Sequence, residues 1–171
     1  MRTIALLALV LASPVSAEVV TASANGFEVR QTVTVQKPPA EAFTAFGRIG
    51  SWWSADHTYS GDAANLALEL RPGGCFCERL PNGGGVEHMR VAYVDPGKQV
   101  LMTGALGPLL YEATIGVMDV RFEPSGAGTQ IVLDYRAAGF FNGGAEKLAP
   151  AVDKVLGEQL ARLKARLPAA R

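Results

Sequence analysis

From Phe27 to Gln36 apolar and polar side chains alternate. Phe27, Val29, Val33 and Val35 fall on one face, and Glu28, Arg30, Thr32 and Thr34 on the other. That period of two predicts a half-buried strand. Lys37-Pro38-Pro39 stops it, and Ala42, Phe43, Phe46 and Ile49 then recur at helical spacing. Pro39 suits the first turn of a helix. Alternation returns over Leu66, Leu68 and Leu70, with a bend at Pro72-Gly73-Gly74. Strands are predicted over 75–80, 86–94, 99–103, 113–122 and 129–136. Turn compositions separate them, at Pro81 to Gly85, Asp95 to Lys98 and Pro124 to Gly128. The strongest periodic signal comes last. Leu148, Val152, Val155, Leu156, Leu160, Leu163 and Leu167 repeat at three and four residues, opposite Asp153, Lys154, Glu158, Arg162, Lys164 and Arg166. Pro168 closes that helix.

The order is strand, short helix, a run of antiparallel strands, then one long helix. An antiparallel sheet with a wide apolar face must be covered. A helix of about 20 residues, roughly 30 Å long, is the one element able to do it. The predicted fold class is therefore α+β: a curved antiparallel sheet of about seven strands wrapped around a long C-terminal helix, over residues 26–168.

The amino terminus reads differently. Arg2 is followed by an apolar run from Ile4 to Ala12 and by Val15-Ser16-Ala17. This is the layout of a secretory signal over residues 1–17, and the run is too short to span a bilayer, which takes about 20 residues. The expectation is a periplasmic or secreted protein beginning at Glu18, with residues 18–25 loosely attached. The 16 basic and 16 acidic residues balance, and no basic run offers a footprint for nucleic acid. No further segment reads as membrane-spanning, and oligomeric state has no signature in the sequence.

Pro38-Pro39-Ala40-Glu41-Ala42-Phe43-Thr44-Ala45-Phe46, followed by Ile49 to Trp53 with its Trp pair, resembles the opening of the SRPBCC, or START-like, superfamily. Leu70-Arg71-Pro72-Gly73-Gly74-Cys75-Phe76 is similar to a passage of its chaperone-ATPase-activator and polyketide-cyclase-like branch, and Ala145 to Leu167 to its grip helix. The resemblance implies a helix-grip fold with a hydrophobic cavity between sheet and helix. It assigns no catalytic residue, because the superfamily places unrelated tasks on one scaffold.

Several residues are candidates for the cavity. Leu106, Leu109, Leu110 and Tyr111 lie in one glycine-bounded apolar stretch, and Phe140 and Phe141 in another. Such loops suit either a cavity mouth or a cap on the core. Trp52 or Trp53 is a stacking platform or a core wedge. Val152 and Leu156 lie on the helix face that would form the cavity floor. Cys75 and Cys77 share one face of a strand, about 6.5 Å apart at Cα, near the limit for a bridge. Free thiols are the leading reading and a disulfide the second. A zinc or copper site follows, built from Cys75, Cys77 and His88 with His57 or Asp56. A turn centred on Asn82-Gly83 sets Cys77 opposite His88 and Cys75 opposite Arg90. Parity then puts Met89, Val91 and Tyr93 on the core face and His88 on the other. The remaining polar residues, Asp56, His57, Tyr59, Glu69, Glu78, Glu87, Arg90 and Tyr111, form no convergent acid and base in sequence, and no nucleophile-elbow or phosphate-loop motif is present. The expectation is a binding protein for a hydrophobic small molecule or lipid, without cofactor or structural metal. The alternative is a cyclase- or aromatase-like enzyme using the same cavity.

Overall fold

The alternating segment forms β2 (Gly26–Val35), with Phe27, Val29, Val33 and Val35 buried. The computed structural model describes residues 16–168, so most of the expected signal segment lies outside the described residues. Before β2 stands β1 (Ser16–Ser23), paired antiparallel with it. This corrects the expectation of a loose segment at 18–25. Small and polar residues suffice there, because an edge strand needs only one hydrogen-bonded neighbour.

The helix α1 (Pro39–Gly47) buries Ala42, Phe43 and Phe46. The strands β3 (Leu66–Leu68), β4 (Cys75–Arg79), β5 (Gly85–Asp95), β6 (Gln99–Gly104), β7 (Ala113–Ser125) and β8 (Gly128–Phe140) follow, and then α2 (Ala149–Ala165). The eight strands among the described residues form one antiparallel sheet in the order β1-β2-β8-β7-β6-β5-β4-β3. The first half of the chain meets the last strand at the β2–β8 seam. The sheet is curved and open, and α2 lies in its concave face: this is the helix-grip fold.

Polar ties fix the helix to the rest, among them Arg162 Nε donating to the Trp52 carbonyl at 2.9 Å. The Gln31 side-chain amide donates to the Asp153 backbone carbonyl at 3.0 Å and to its carboxylate. Gln159, buried in the apolar stripe of α2, accepts from the Ser54 backbone N–H at 2.7 Å. On the convex face the buried Asp134 carboxylate lies between Arg30 at 2.6 Å and Arg121 at 2.8 Å. Burial pushes that carboxyl up, but the two guanidinium partners outweigh it and hold it below its ordinary value.

The β4–β5 pairing departs from simple parity. Cys75 faces Arg90 and Phe76 faces Met89, as the turn position predicts, but Cys77 faces Glu87 and not His88. One surplus residue in β5 makes a bulge at that step. His88 and Met89 consequently both point inward and are buried, which corrects the outward placement of His88. Gly104 on β6 lets the bulge approach: a Cβ there would lie 2.8 Å from the His88 carbonyl oxygen. A second irregularity between Val91 and Tyr93 turns Tyr93 outward, 49% exposed, against its expected core position.

The lower half of α2 packs as the periodicity predicts, with Leu156, Leu160 and Leu163 fully buried. Val152 and Val155 are only half-buried. Leu160→Ala should therefore cost about 2–5 kcal/mol of unfolding free energy. Lys154→Ala, on the exposed face, should stay within about 0.5 kcal/mol. Urea unfolding of both variants measures the contrast, and equal effects would mean that α2 is not packed through Leu160.

Candidate functional site

Above Leu156 the helix and the sheet separate and leave a cavity of about 470 Å³. Ala151, Val152, Val155 and Leu156 of α2, with Leu148 just before it, form one wall. The short turn Gly107–Tyr111 and the preceding Leu106 form another, and Trp53, Tyr59, Phe76, His88 and Tyr135 close the sheet side. The half-burial of Val152 and Val155 is thus exposure to the cavity.

Six of the residues singled out in the sequence are brought together here: Trp53, Leu106, Leu109, Tyr111, Val152 and Leu156. Four lie elsewhere. Trp52 is a core residue, its indole N–H donating to the carbonyls of Ala45 and Phe46 and its ring 5.6 Å from Phe46. Phe141 is buried against Phe27. Phe140, at the end of β8, is 70% exposed, and Leu110 points away from the cavity at 46%. Phe140 and Phe141 take opposite sides, whereas the Trp52 and Trp53 rings stay 5.6 Å apart, Trp53 beside the cavity and Trp52 behind it in the core.

Cys75 and Cys77 form a disulfide, with Cα atoms 5.3 Å apart. This corrects the leading expectation of free thiols. The proposed ligand set of Cys75, Cys77 and His88 is also split, since the bulge carries His88 to the opposite face. Of its other members, His57 lines the cavity mouth and lies 3.5 Å from Glu158, and Asp56 lines the same mouth.

What the sequence did not reveal is a buried, hydrogen-bonded carboxylate–imidazole pair beside the cavity. Glu78 on β4 is 1% exposed. Its carboxylate accepts from the backbone N–H groups of Tyr59 at 3.1 Å and Ser60 at 2.5 Å, and Nε2 of His88 lies 3.0 Å from it. Burial pushes Glu78 up, but the hydrogen bonds from Ser60, Tyr59 and His88 prevail and hold it below its ordinary value. Burial dominates at His88 and lowers it, against the opposing pull of Glu78. The pair is therefore a carboxylate and a neutral imidazole, which puts the ring proton on Nε2 and leaves the lone pair on Nδ1. Nδ1 is buried and has no hydrogen-bond partner among the described residues. The ring sits 4.9 Å from Phe76 and 5.9 Å from Tyr59. Nearby, the Tyr135 hydroxyl accepts from the Leu106 N–H at 3.3 Å, and burial pushes its phenol up to about 12. The sequence signal for this arrangement is the inward parity of Glu78 with Phe76, which holds; the bulge in β5 breaks the parity of His88.

The protein-family model described as polyketide cyclase / dehydrase and lipid transport matches residues 26–168. Solved structures of similar fold include an uncharacterized protein from Rhizobium leguminosarum, 19% identical over 91% of this chain and 98% of that one, with a TM-score of 0.61. Mll3558 from Rhizobium loti is 22% identical over 91% and 100%, with a TM-score of 0.59. CalU16 from Micromonospora echinospora is 14% identical over 90% and 84%, with a TM-score of 0.60. At such identities the likeness shows the fold alone. No curated protein matches the chain.

The Glu78–His88 pair predicts how stability follows pH. His88 is held below its ordinary value of 6.5 in the folded state, so on acidification the unfolded chain takes up its proton first. Its contribution is complete above about pH 6.5 and is lost as pH falls toward the folded value. Glu78, held below 4.5, adds a contribution present above that pH and lost below it. Urea midpoints should be level from about pH 8 to 7 and fall below about pH 6.5. In His88→Gln the first part of that fall should disappear. An unchanged slope in the variant would assign it to another group.

Proposed function

The chain belongs to the polyketide cyclase / dehydrase and lipid transport family of the SRPBCC superfamily, and on that premise we propose that it is an exported binding protein for a compact apolar or aromatic molecule. The family gives the coarser part, a hydrophobic ligand-binding or cyclase role. The observation that carries the finer reading is the cavity of about 470 Å³ with mostly aliphatic and aromatic walls, in the size range of small-molecule sites. Removing roughly 300 Å² of ligand surface from water supplies on the order of 7 kcal/mol before ordering costs are subtracted. Before those costs this corresponds to a Kd of about 10 μM.

Catalysis is the second reading, and one observation favours it. The buried imidazole of His88 stands on the cavity wall with a carboxylate partner, as a general base does. Mass spectrometry of a bound compound before and after incubation separates the two. A compound returned unchanged supports binding, and a transformed one supports catalysis.

Export rests on the charged start, the apolar run and Val15-Ser16-Ala17. The Cys75–Cys77 disulfide suits an oxidising compartment. Cleavage after Ala17 would leave Glu18 to Ser23 still paired with β2. Intact-mass analysis of protein from its native host should give a chain beginning at Glu18. A mass that retains residues 1–17 would refute this.

The cavity is tested by titration with an environment-sensitive apolar probe. Wild-type protein should bind it with a change in Trp53 emission. Val152→Trp, which fills the cavity from a half-buried position, should weaken binding at least about tenfold, a loss of about 1.4 kcal/mol. Leu110→Asp and Phe140→Asp, outside the cavity, should bind as wild type does. Probe binding that survives Val152→Trp but is lost in Phe140→Asp would place the site on the outer surface.

A further inference from the structure

The Cys75–Cys77 bridge takes no part in the cavity, and its position does not suit a structural brace. Both cysteines belong to β4 with one residue between them, so the bond joins no two elements of the fold. Phe76 between them points inward and is buried, which puts both sulfurs on the outer face of the sheet. The cysteines themselves are half-buried. Their neighbour toward the sheet edge is Ala67, the partner of Cys77, which is exposed and too small to roof the bond. Access of this kind leaves a disulfide open to attack by a thiolate.

The charges around the pair are not symmetrical. Across the β4–β5 seam Cys75 faces Arg90, and Cys77 faces Glu87. Side chains so paired lie about 4.5–5.5 Å apart at Cβ. A carboxylate oxygen of Glu87 and the two sulfurs all lie within 4.8 Å of one another. The Arg90 guanidinium donates to the Gly73 carbonyl at 3.1 Å and to the Glu87 carboxylate, which anchors it beside the start of β4. A thiolate is favoured beside a cation and disfavoured beside a carboxylate. When the bond opens, the negative charge therefore belongs on Cys75.

We propose that Cys75–Cys77 is a thiol–disulfide exchange site that oxidises a dithiol, a polypeptide segment with two nearby cysteines, and that Arg90 stabilises the thiolate released on Cys75. A polypeptide suits the site because the sulfurs lie on an open sheet face and not in the cavity. One substrate thiolate attacks Sγ of Cys77. The new S–S bond forms as the Cys75–Cys77 bond breaks, and the electron pair leaves on Cys75. The second substrate thiol then gives up its proton and attacks the substrate sulfur of the mixed disulfide, and Cys77 departs. The substrate leaves as a disulfide, and its two electrons and two protons remain on Cys75 and Cys77 as thiols. A monothiol lacks the second nucleophile, so Cys75 recloses the bridge.

The test mixes oxidised wild-type protein, in the absence of oxygen, with a reduced synthetic peptide carrying two cysteines. One peptide disulfide should form per chain, with the circular dichroism of the fold retained. The rate should exceed that of oxidised glutathione at equal concentration by at least about tenfold. With reduced glutathione in place of the peptide, acid-quenched protein should carry the glutathionyl group on Cys77. Arg90→Gln should slow peptide oxidation about threefold, the order expected when a leaving thiolate loses a neighbouring positive charge. Arg90→Lys should restore the rate. Oxidation that requires denaturant, or that runs no faster than with oxidised glutathione, would overturn the exchange site. Glutathione found on Cys75, or an Arg90→Gln rate equal to that of wild type, would overturn the role given to Arg90.

Discussion

The concave face of an eight-stranded sheet offers more apolar surface than one 17-residue helix can cover, and the remaining features follow from how that mismatch is distributed. At the carboxyl-terminal half of α2 it is resolved by close packing of Leu156, Leu160 and Leu163 against the sheet. At the amino-terminal half it is not. There Val152 and Val155 look across a gap at Trp53, Phe76 and Tyr135. The polar ties through Gln31 and Gln159 hold the helix at its distance, so the gap cannot collapse simply by sliding α2 inward. The cavity is in this sense a property of the frame, and the loops that border it only set its outline.

Into that apolar frame the chain places one carboxylate and one imidazole. Burying a charge is expensive unless its lone pairs are satisfied, and Glu78 meets the condition with two backbone donors and a histidine. The backbone donors come from Tyr59 and Ser60, in the segment that also brings Trp53 and His57 to the cavity rim. The same hydrogen bonds therefore stabilise the charge and fasten the rim segment to the sheet. A residue that looks like a solvated glutamate in sequence organises the mouth of the cavity.

Much of the fold was legible because it depends on periodicity. The period-two pattern around Phe27 to Val35 and the helical spacing of Leu156, Leu160 and Leu163 are properties of single segments, and they appear where expected. β1 was not legible, because an edge strand of small residues carries no alternation. The site was legible in part for the same reason. Leu106, Leu109 and Tyr111 were identified by being apolar where a loop should be polar, and Trp53 as one of an adjacent pair of indoles. Phe140, Phe141, Trp52 and Leu110 share that composition, yet only orientation separates them from the cavity residues. His88 shows the harder limit. Which way it points depends on a mismatch between two strands, and neither strand encodes that alone.

The Cys75–Cys77 bridge bears on that mismatch. By the chain-entropy argument a disulfide stabilises a fold in proportion to the logarithm of the loop it closes, and a ring of three residues closes almost none. Its main effect is on contour length. Fully extended, two residues of strand advance about 6.5 Å, whereas these two Cα atoms lie 5.3 Å apart. The bridged strand is short of its partner at the very step where β5 carries its extra residue. A covalent bond on the outer face of the sheet thus acts like a tuck in one edge of a cloth, and the slack it leaves in the neighbouring edge is the turn of backbone that faces an imidazole toward the interior.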